Sequence, residues 1–80
     1  MVQQIVTLLE MSIQAPPGSI RPESSLQELN GWDSMGMVMF VGEAFDRIRA
    51  EVGVDDLQTC VTVRDLVALV SRKVPAVPQA

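Results

Sequence analysis

An aspartate and a serine, Asp33 and Ser34, are the residues of this chain whose types and positions most suggest chemistry. They lie in the stretch GWDSMGMVMF, residues 31–40. A serine acts as a nucleophile when a neighbouring base accepts its proton and a third group orients that base. The chain has no histidine, its one lysine is Lys73, and no Gly-x-Ser-x-Gly turn surrounds the serine. We therefore expect Ser34 to be modified by another enzyme and not to react by itself.

Ser34 lies at the predicted first turn of a helix. Aspartate and serine are common there because their side chains cap free backbone amides, so capping alone would explain both residues. The same position also favours an attached phosphate, since free amide groups and the positive end of the helix dipole stabilise negative charge. The sequence thus indicates a serine suited to carry a phosphodiester.

Two main helices are predicted on either side of a long connection. Apolar residues spaced three and four apart predict the first helix over residues 2–13, and Pro16-Pro17-Gly18 ends it. The second helix is predicted to run from Ser34 to Ala50 or Glu51. Ser34 therefore belongs to the start of a main helix and not to a mobile loop.

The connection, residues 15–33, is rich in proline, serine and glycine. Ser25 and Glu28 match a capping box, which predicts one short helical turn there. Three apolar residues are expected to pack onto the core and keep the connection ordered, namely Ile20, Leu26 and Leu29.

The second half of the chain predicts one short and one longer helix. Residues 54–60 allow one or two helical turns. Thr62 and Asp65 then form a capping-box-like start for a final helix, which Pro75 ends. No strand pattern competes with this assignment.

The composition limits the chain to one small domain. Eighty residues that are 48% hydrophobic provide one compact apolar core. Residues 75–80 lack periodicity and are expected to form a flexible tail. We therefore predict an all-α four-helix bundle over residues 1–74, with three main helices and one short helix.

Charge and cysteine content restrict the expected partners. The net charge is -4 and the six basic residues form no stripe, so we expect no nucleic-acid partner. No apolar stretch approaches the ~20 residues of a membrane span, and no signal peptide is recognised. The single cysteine, Cys60, excludes an internal disulfide and a zinc site and is expected to be buried. These features predict a cytoplasmic protein with no metal, which we expect to be a monomer when alone. The initial methionine and the short tail favour a free-standing protein, and a domain excised from a larger synthase is the alternative.

A helical wheel of the second helix predicts one apolar stripe that faces the core. Asp33 is the predicted N-cap, and Trp32 is expected to pack against Met37 across the first turn. Phe40 falls at the edge of the stripe. The stripe contains Met37, Val38, Val41, Ala44, Phe45, Ile48 and Val52.

Met35 and Met39 fall on a different arc, beside Gly42, Glu43 and Asp46. Single exposed apolar residues are ordinary on protein surfaces. Alternatively, flexible methionine side chains suit a surface that binds several partners in turn. Gly42 would let a partner approach closely, and the carboxylates would steer basic partner surfaces.

The stretch Gly31-Trp32-Asp33-Ser34-Met35-Gly36 resembles the phosphopantetheine attachment motif of acyl carrier proteins, whose core is Asp-Ser-Leu, with methionine replacing the leucine. The resemblance covers nearly the whole chain. The long connection has Pro22, Leu26 and Leu29 at positions that resemble the family pattern, and Thr62 begins the last helix.

The resemblance implies that Ser34 carries a phosphopantetheine arm and that Asp33 helps a phosphopantetheinyl transferase hold its metal and the serine. The thiol of the arm, not Cys60, would hold an acyl or aminoacyl cargo as a thioester. Further implied partners are a loading ligase or adenylation enzyme and an acyltransferase, ketosynthase or condensation enzyme. The expected partner surface is Met35, Val38, Met39, Gly42, Glu43 and Asp46.

The acidic residues of the second helix are fewer than in fatty-acid carriers, and Arg47 and Arg49 offset them. Ser-Met-Gly after the aspartate also resembles carriers of activated amino acids, such as the D-alanyl carriers of cell-wall modification. We therefore expect a specialised pathway, of polyketide, nonribosomal peptide or related type.

Two other classes of function stay open on the sequence. One is a helical adaptor that binds proteins through Met35, Met39 and Phe40 without a covalent arm. The other is a small enzyme, which the missing histidine disfavours.

Overall fold

The computed structural model describes residues 2–74, which form four α-helices. These are α1 (Val2–Ile13), α2 (Ser34–Ile48), α3 (Val54–Gln58) and α4 (Val63–Lys73). Helix α1 packs against α2 and α4, and α2 packs against α3. The predicted all-α bundle is confirmed. None of these four helices has the length and apolar character needed to cross a membrane. The predicted tail, residues 75–80, lies outside the described residues.

The core receives side chains from all four helices and from the long connection. Each large aliphatic or aromatic side chain that is fully buried contributes about 1.5–3 kcal/mol to folding. The largest fully buried side chains are Phe40, Ile5, Leu9, Leu26, Leu57, Leu66, Val63 and Val70.

Helix α2 places most, but not all, of the predicted stripe against the core. Its buried residues are Gly36, Phe40 and Ala44, whereas Val38 is 59% exposed and Phe45 44% exposed. The prediction that Val38 and Phe45 face the core is therefore wrong. The prediction that Phe40 lies at the edge of the stripe is also wrong, because Phe40 is buried. Apolar residues cover most of the surface of α2, so periodicity alone did not fix the arc. The remaining members of the stripe lie against the core, with Ala44 and Val52 buried and Met37, Val41 and Ile48 partly buried.

Trp32 packs edge-to-face on Phe40, with ring centroids 5.8 Å apart and planes at 78°. Such pairs contribute about 0.5–1.5 kcal/mol beyond the area that they bury. Trp32 was predicted to contact Met37, one turn earlier in α2. Both residues lie against the core, and a contact between them stays a prediction. The aromatic ring that packs on the indole is that of Phe40.

Helix α2 ends at Ile48, earlier than predicted. Arg49 adopts a left-handed conformation with φ 56°, and the N–H groups of Arg49 and Ala50 donate to the carbonyls of Phe45 and Ala44 at 3.0 and 3.1 Å. This closure satisfies carbonyls at the end of the helix and turns the chain so that Ala50 is fully buried. The burial of Ala50 in the core thus accompanies a helix that is two or three residues shorter than predicted.

The long connection is held to the core as predicted. Ile20 and Leu26 are buried, and Leu29 is partly buried. Backbone hydrogen bonds also tie the connection to the first turn of α4 and to the residue Val61 just before it. The donors and acceptors are Leu26 to Val61 (2.9 Å), Val63 to Ser24 (2.9 Å) and Arg64 to Pro22 (2.8 Å).

The predicted helical turn is present as a short 3-10 helix, Leu26–Glu28. Its predicted capping box is not formed, because the Ser25 side chain accepts no capping hydrogen bond. Ser25 instead forms an isolated antiparallel bridge with Thr62. Pairing with a distant segment therefore replaces the local cap.

The start of α4 confirms its predicted capping box. Thr62 Oγ1 accepts the Asp65 N–H at 3.1 Å, and Asp65 Oδ2 accepts the N–H groups of Thr62 and Val61, each at 3.1 Å. These backbone donors, Thr62 first, lower the pKa of the Asp65 carboxyl below its ordinary value. The shorter aspartate thus does the work of the usual glutamate.

Candidate functional site

Asp33 is the N-cap of α2, as predicted. Its backbone is extended, and Oδ1 accepts the Gly36 N–H at 3.0 Å. Such a cap contributes about 0.5–2 kcal/mol to helix stability. Because Asp33 supplies it, the neighbouring serine is not needed for this purpose.

Ser34 is the first residue of α2, and its side chain is exposed. Among residues 2–74 its hydroxyl has no hydrogen-bond partner. Three other serines differ, since the hydroxyls of Ser12 and Ser19 donate to backbone carbonyls at 2.8 and 2.6 Å, and that of Ser24 accepts a backbone N–H at 3.2 Å. The hydroxyls of Ser25 and Ser71 form no hydrogen bond within the described residues either, but neither serine lies at the start of an α-helix. Ser34 Oγ is thus free for another enzyme to reach.

Two glycines bring the segment before Ser34 close to the end of α1. A Cβ on Gly36 would lie 2.0 Å from the carbonyl oxygen of Gly31, and a Cβ on Gly31 would lie 3.0 Å from the Cβ of Ile13. Gly31 also has φ +93°, which favours glycine. The glycines of the GWDSMG stretch therefore set the position of Ser34 through backbone packing, a role that the sequence analysis missed.

Two hollows adjoin Ser34. The α1–α2 cleft, of about 370 Å³, is lined by Ser12, Ile13, Gln14, Gly31, Asp33, Met35, Gly36 and Met39. The α2 depression, of about 540 Å³, is lined by Asp33, Ser34, Met35 and Val38. Met35 and Asp33 line both hollows, so a group attached to Ser34 has two directions open to it.

Three residues of the predicted partner surface lie together near Ser34. Met35 is 72% exposed, Val38 59% and Met39 49%. The exposure of Met35 and Met39 confirms their predicted arc. That of Val38 contradicts its place in the core stripe and agrees with the position that the family resemblance gives it.

The other three residues lie further along α2. Gly42 is exposed, and a Cβ there would contact nothing within 4 Å. Asp46 is exposed. Glu43 accepts a hydrogen bond from Arg47 Nε at 2.6 Å, which compensates its charge. Asp46 therefore contributes more to the negative field of this surface than Glu43 does.

The end of α1 also contributes to the site, which was not predicted from the sequence. Ser12, Ile13 and Gln14 line the α1–α2 cleft, and Gln14 has a left-handed backbone with φ 59°. The proline pair after this helix was the available signal. It marks a helix end, but the sequence alone does not say which element that end packs against.

Glu10 is buried, although it is an acidic residue of an amphipathic helix. Its Oε2 accepts the N–H of Gly18 at 2.8 Å. This bond holds the turn that follows Pro16-Pro17 against α1.

Cys60 is partly buried and packs against the core, where full burial was expected. Its thiol lies 3.8 Å from the carbonyl oxygen of Asp56. Burial, the largest cause, raises the pKa of the Cys60 thiol above its ordinary value. Burial therefore disfavours the thiolate, which is the nucleophilic form of a cysteine.

The arrangement around Ser34 offers a reactive group but no base to activate it. The Asp33 carboxylate is occupied by its cap, and within residues 2–74 no group of three or more His, Cys, Asp or Glu could hold a metal ion. Comparison of the chain with protein-family models, with curated proteins and with solved structures found no match.

Proposed function

We propose that this protein is an acyl carrier that holds an acyl or aminoacyl group on a phosphopantetheine arm attached to Ser34 and delivers it to the enzymes of a biosynthetic pathway. The observation that carries the proposal is the state of Ser34. Its side chain is exposed at the first turn of α2 and its hydroxyl is unbonded, while Asp33 caps the helix. The resemblance of GWDSMG to the attachment motif of acyl carrier proteins suggests that the attached group is phosphopantetheine.

The residues around Ser34 fit a phosphodiester. The N–H groups of Ser34 and Met35 belong to the first turn of α2 and have no acceptor within the helix. Together with the positive end of the dipole they favour a phosphate there. The arm supplies a thiol that holds the cargo as a thioester. Asp33 would meet the transferase and its metal beside the serine.

The surface next to Ser34 fits weak and repeated docking. Met35, Val38 and Met39 give an apolar patch with adaptable side chains, and Asp46 adds negative charge nearby. A carrier must leave each partner, so a small contact area is an advantage. The tether raises the local concentration of cargo wherever the carrier docks. The partners are a phosphopantetheinyl transferase, a loading ligase or adenylation enzyme, and an acyltransferase, ketosynthase or condensation enzyme.

The test is the intact mass of the protein after incubation with coenzyme A and a broad-specificity phosphopantetheinyl transferase. The wild type should gain one phosphopantetheine group, and Ser34→Ala should gain none. Ser71→Ala, which removes an exposed serine on α4, is the matched control and should be modified like the wild type. An unchanged wild-type mass would leave the adaptor without an arm as the better account of the apolar patch. A gain that persists in Ser34→Ala would show that the arm is attached elsewhere and would also contradict the proposal.

A further inference from the structure

We infer that the α1–α2 cleft receives the far end of the arm, and that the cargo held there is a short aminoacyl group. The inference rests on the proposed function, since it concerns a group carried by Ser34. It adds the direction in which the arm lies and the chemical class of the cargo.

The cleft is bounded by two elements, whereas the α2 depression is bounded by one. The end of α1 and the start of α2 face each other across the cleft, with Gly31 and Gly36 between them. The α2 depression is lined only by Asp33 and the first turns of α2. A flexible chain loses entropy when it is held, so it settles where walls on two sides offer contacts.

The end of α1 offers hydrogen-bond acceptors that the protein itself does not use. The carbonyls of Ser12 and Ile13 would bond to N–H groups four residues later, but those residues are Pro16 and Pro17, which have none. Ala15 donates instead to Glu10, at 2.8 Å. Within residues 2–74, neither the Ser12 nor the Ile13 carbonyl accepts a hydrogen bond.

These acceptors favour a positively charged donor. The carbonyl end of a helix carries partial negative charge and stabilises a cation. The ammonium of an aminoacyl group has three N–H donors and a positive charge, so it matches both properties. A simple acyl group of the same size has neither. On the opposite side of the cleft, Met35 and Met39 supply apolar contacts for the remainder of the chain.

The size of the cleft and the filled core limit the length of the cargo. Its volume of about 370 Å³ is near the lower end of the ~300–1,000 Å³ range of ligand sites. Inside the bundle, Phe40 is completely buried and packed against Trp32. A long acyl chain would have to displace this aromatic pair, whereas a short aminoacyl group fits outside it.

The test uses protein labelled in its methionine methyl groups and in its backbone amides. Arms that end in alanyl or in propionyl, each joined through a stable amide, are transferred to Ser34 from coenzyme A analogues, and NMR spectra are compared with the holo form. We expect the alanyl arm to shift the Met39 methyl and Gln14 amide signals several-fold more than the propionyl arm does. Met11, exposed on α1 away from the cleft, should not move with either arm.

Two matched variants identify the direction of the arm. Met39→Gln alters the α1–α2 cleft and should abolish the difference between the two arms in the shift of the Gln14 amide signal. Val38→Gln alters the α2 depression and should leave that difference unchanged. Equal shifts with the two arms, or an alanyl effect that is lost in Val38→Gln instead, would overturn the inference. Failure of the proposed function is separate, because the mass of the protein would then not change with either analogue.

Discussion

Asp33 and Ser34 are both residues that can cap a helix, but in this protein they have different roles. Asp33 supplies the cap, and its carboxylate accepts the Gly36 N–H. Ser34 occupies the next position and keeps its hydroxyl free. The N-terminus of α2 is therefore capped by Asp33, and the Ser34 hydroxyl beside it stays accessible. The sequence predicted Asp33 as the N-cap, but it did not predict that the Ser34 hydroxyl has no partner, because either side chain is a good N-cap.

Gly36 and Gly42 provide a matched pair of substitutions on α2. In both, alanine has better helix propensity, by about 0.8–1 kcal/mol. At Gly42 a new Cβ meets open space, so Gly42→Ala should stabilise the protein by about 0.5–1 kcal/mol. At Gly36 the Cβ would lie 2.0 Å from the Gly31 carbonyl oxygen, and Gly36→Ala should destabilise it by about 1–3 kcal/mol.

Urea denaturation of the two glycine variants gives the free energies of unfolding directly. If the Gly36→Ala protein were as stable as the wild type, Gly31 would not lie close to Gly36 at the start of α2. The α1–α2 cleft would then have a different shape from the one described.

At the scale of elements, the helix starts were more predictable than the helix faces. Asp33 and Thr62 are N-caps as predicted, because capping depends on residues within one turn. The face that α2 buries depends on its neighbours, and its sequence offers apolar residues on several sides. The end of α2 was also missed, because burial of Ala50 is a tertiary contact.

Phe40→Ala and Phe45→Ala test which face of α2 is buried. Phe40 is completely buried, so truncation should cost about 3–5 kcal/mol. Phe45 is 44% exposed, with the Arg49 guanidinium 5.4 Å from its ring centroid. Its truncation should cost less than half as much. Equal losses in thermal or urea unfolding would contradict the orientation of α2 and restore the stripe that the wheel predicted.

The capping box of α4 makes a prediction about acid. The folded pKa of Asp65 is lower than its ordinary value of 3.8, because the Thr62 and Val61 N–H groups favour the charged carboxylate. Its contribution to stability is therefore complete above that ordinary value and is lost as the pH falls through the folded pKa.

Asp65→Asn should reduce the acid-side fall in the free energy of unfolding, measured by urea denaturation from neutral pH downwards. Asp46→Asn is the control, since that exposed carboxylate accepts no hydrogen bond among the described residues. An unchanged pH profile in Asp65→Asn would show that the box does not depend on the charge of the carboxylate.

At the scale of the whole molecule, the bundle holds Ser34 where three segments meet. The end of α1, the end of the connection and the start of α2 converge there through Ile13, Gly31 and Gly36. The connection is fixed at its other points by Ile20, Leu26 and hydrogen bonds to the residues around the start of α4. Most of the chain therefore supports the single helical turn that contains Ser34.

Part of the site followed from local pattern and part required the fold. Ser34, Asp33 and the exposed methionines were identified because their roles depend on position within one helix. Val38 was assigned to the core by the wheel, and the cleft residues Ser12 and Gln14 were not identified at all. Their environment is created by packing of α1 against α2, which no short stretch of sequence encodes.

The most direct test of the central claim is to locate the modification within the chain. The transferase-treated protein is digested, and tandem mass spectrometry assigns the phosphopantetheine group to one of the six serines. The account predicts the group on Ser34 alone, in the peptide that contains Gly31-Trp32-Asp33-Ser34. A group found on another serine, or on none, would contradict it.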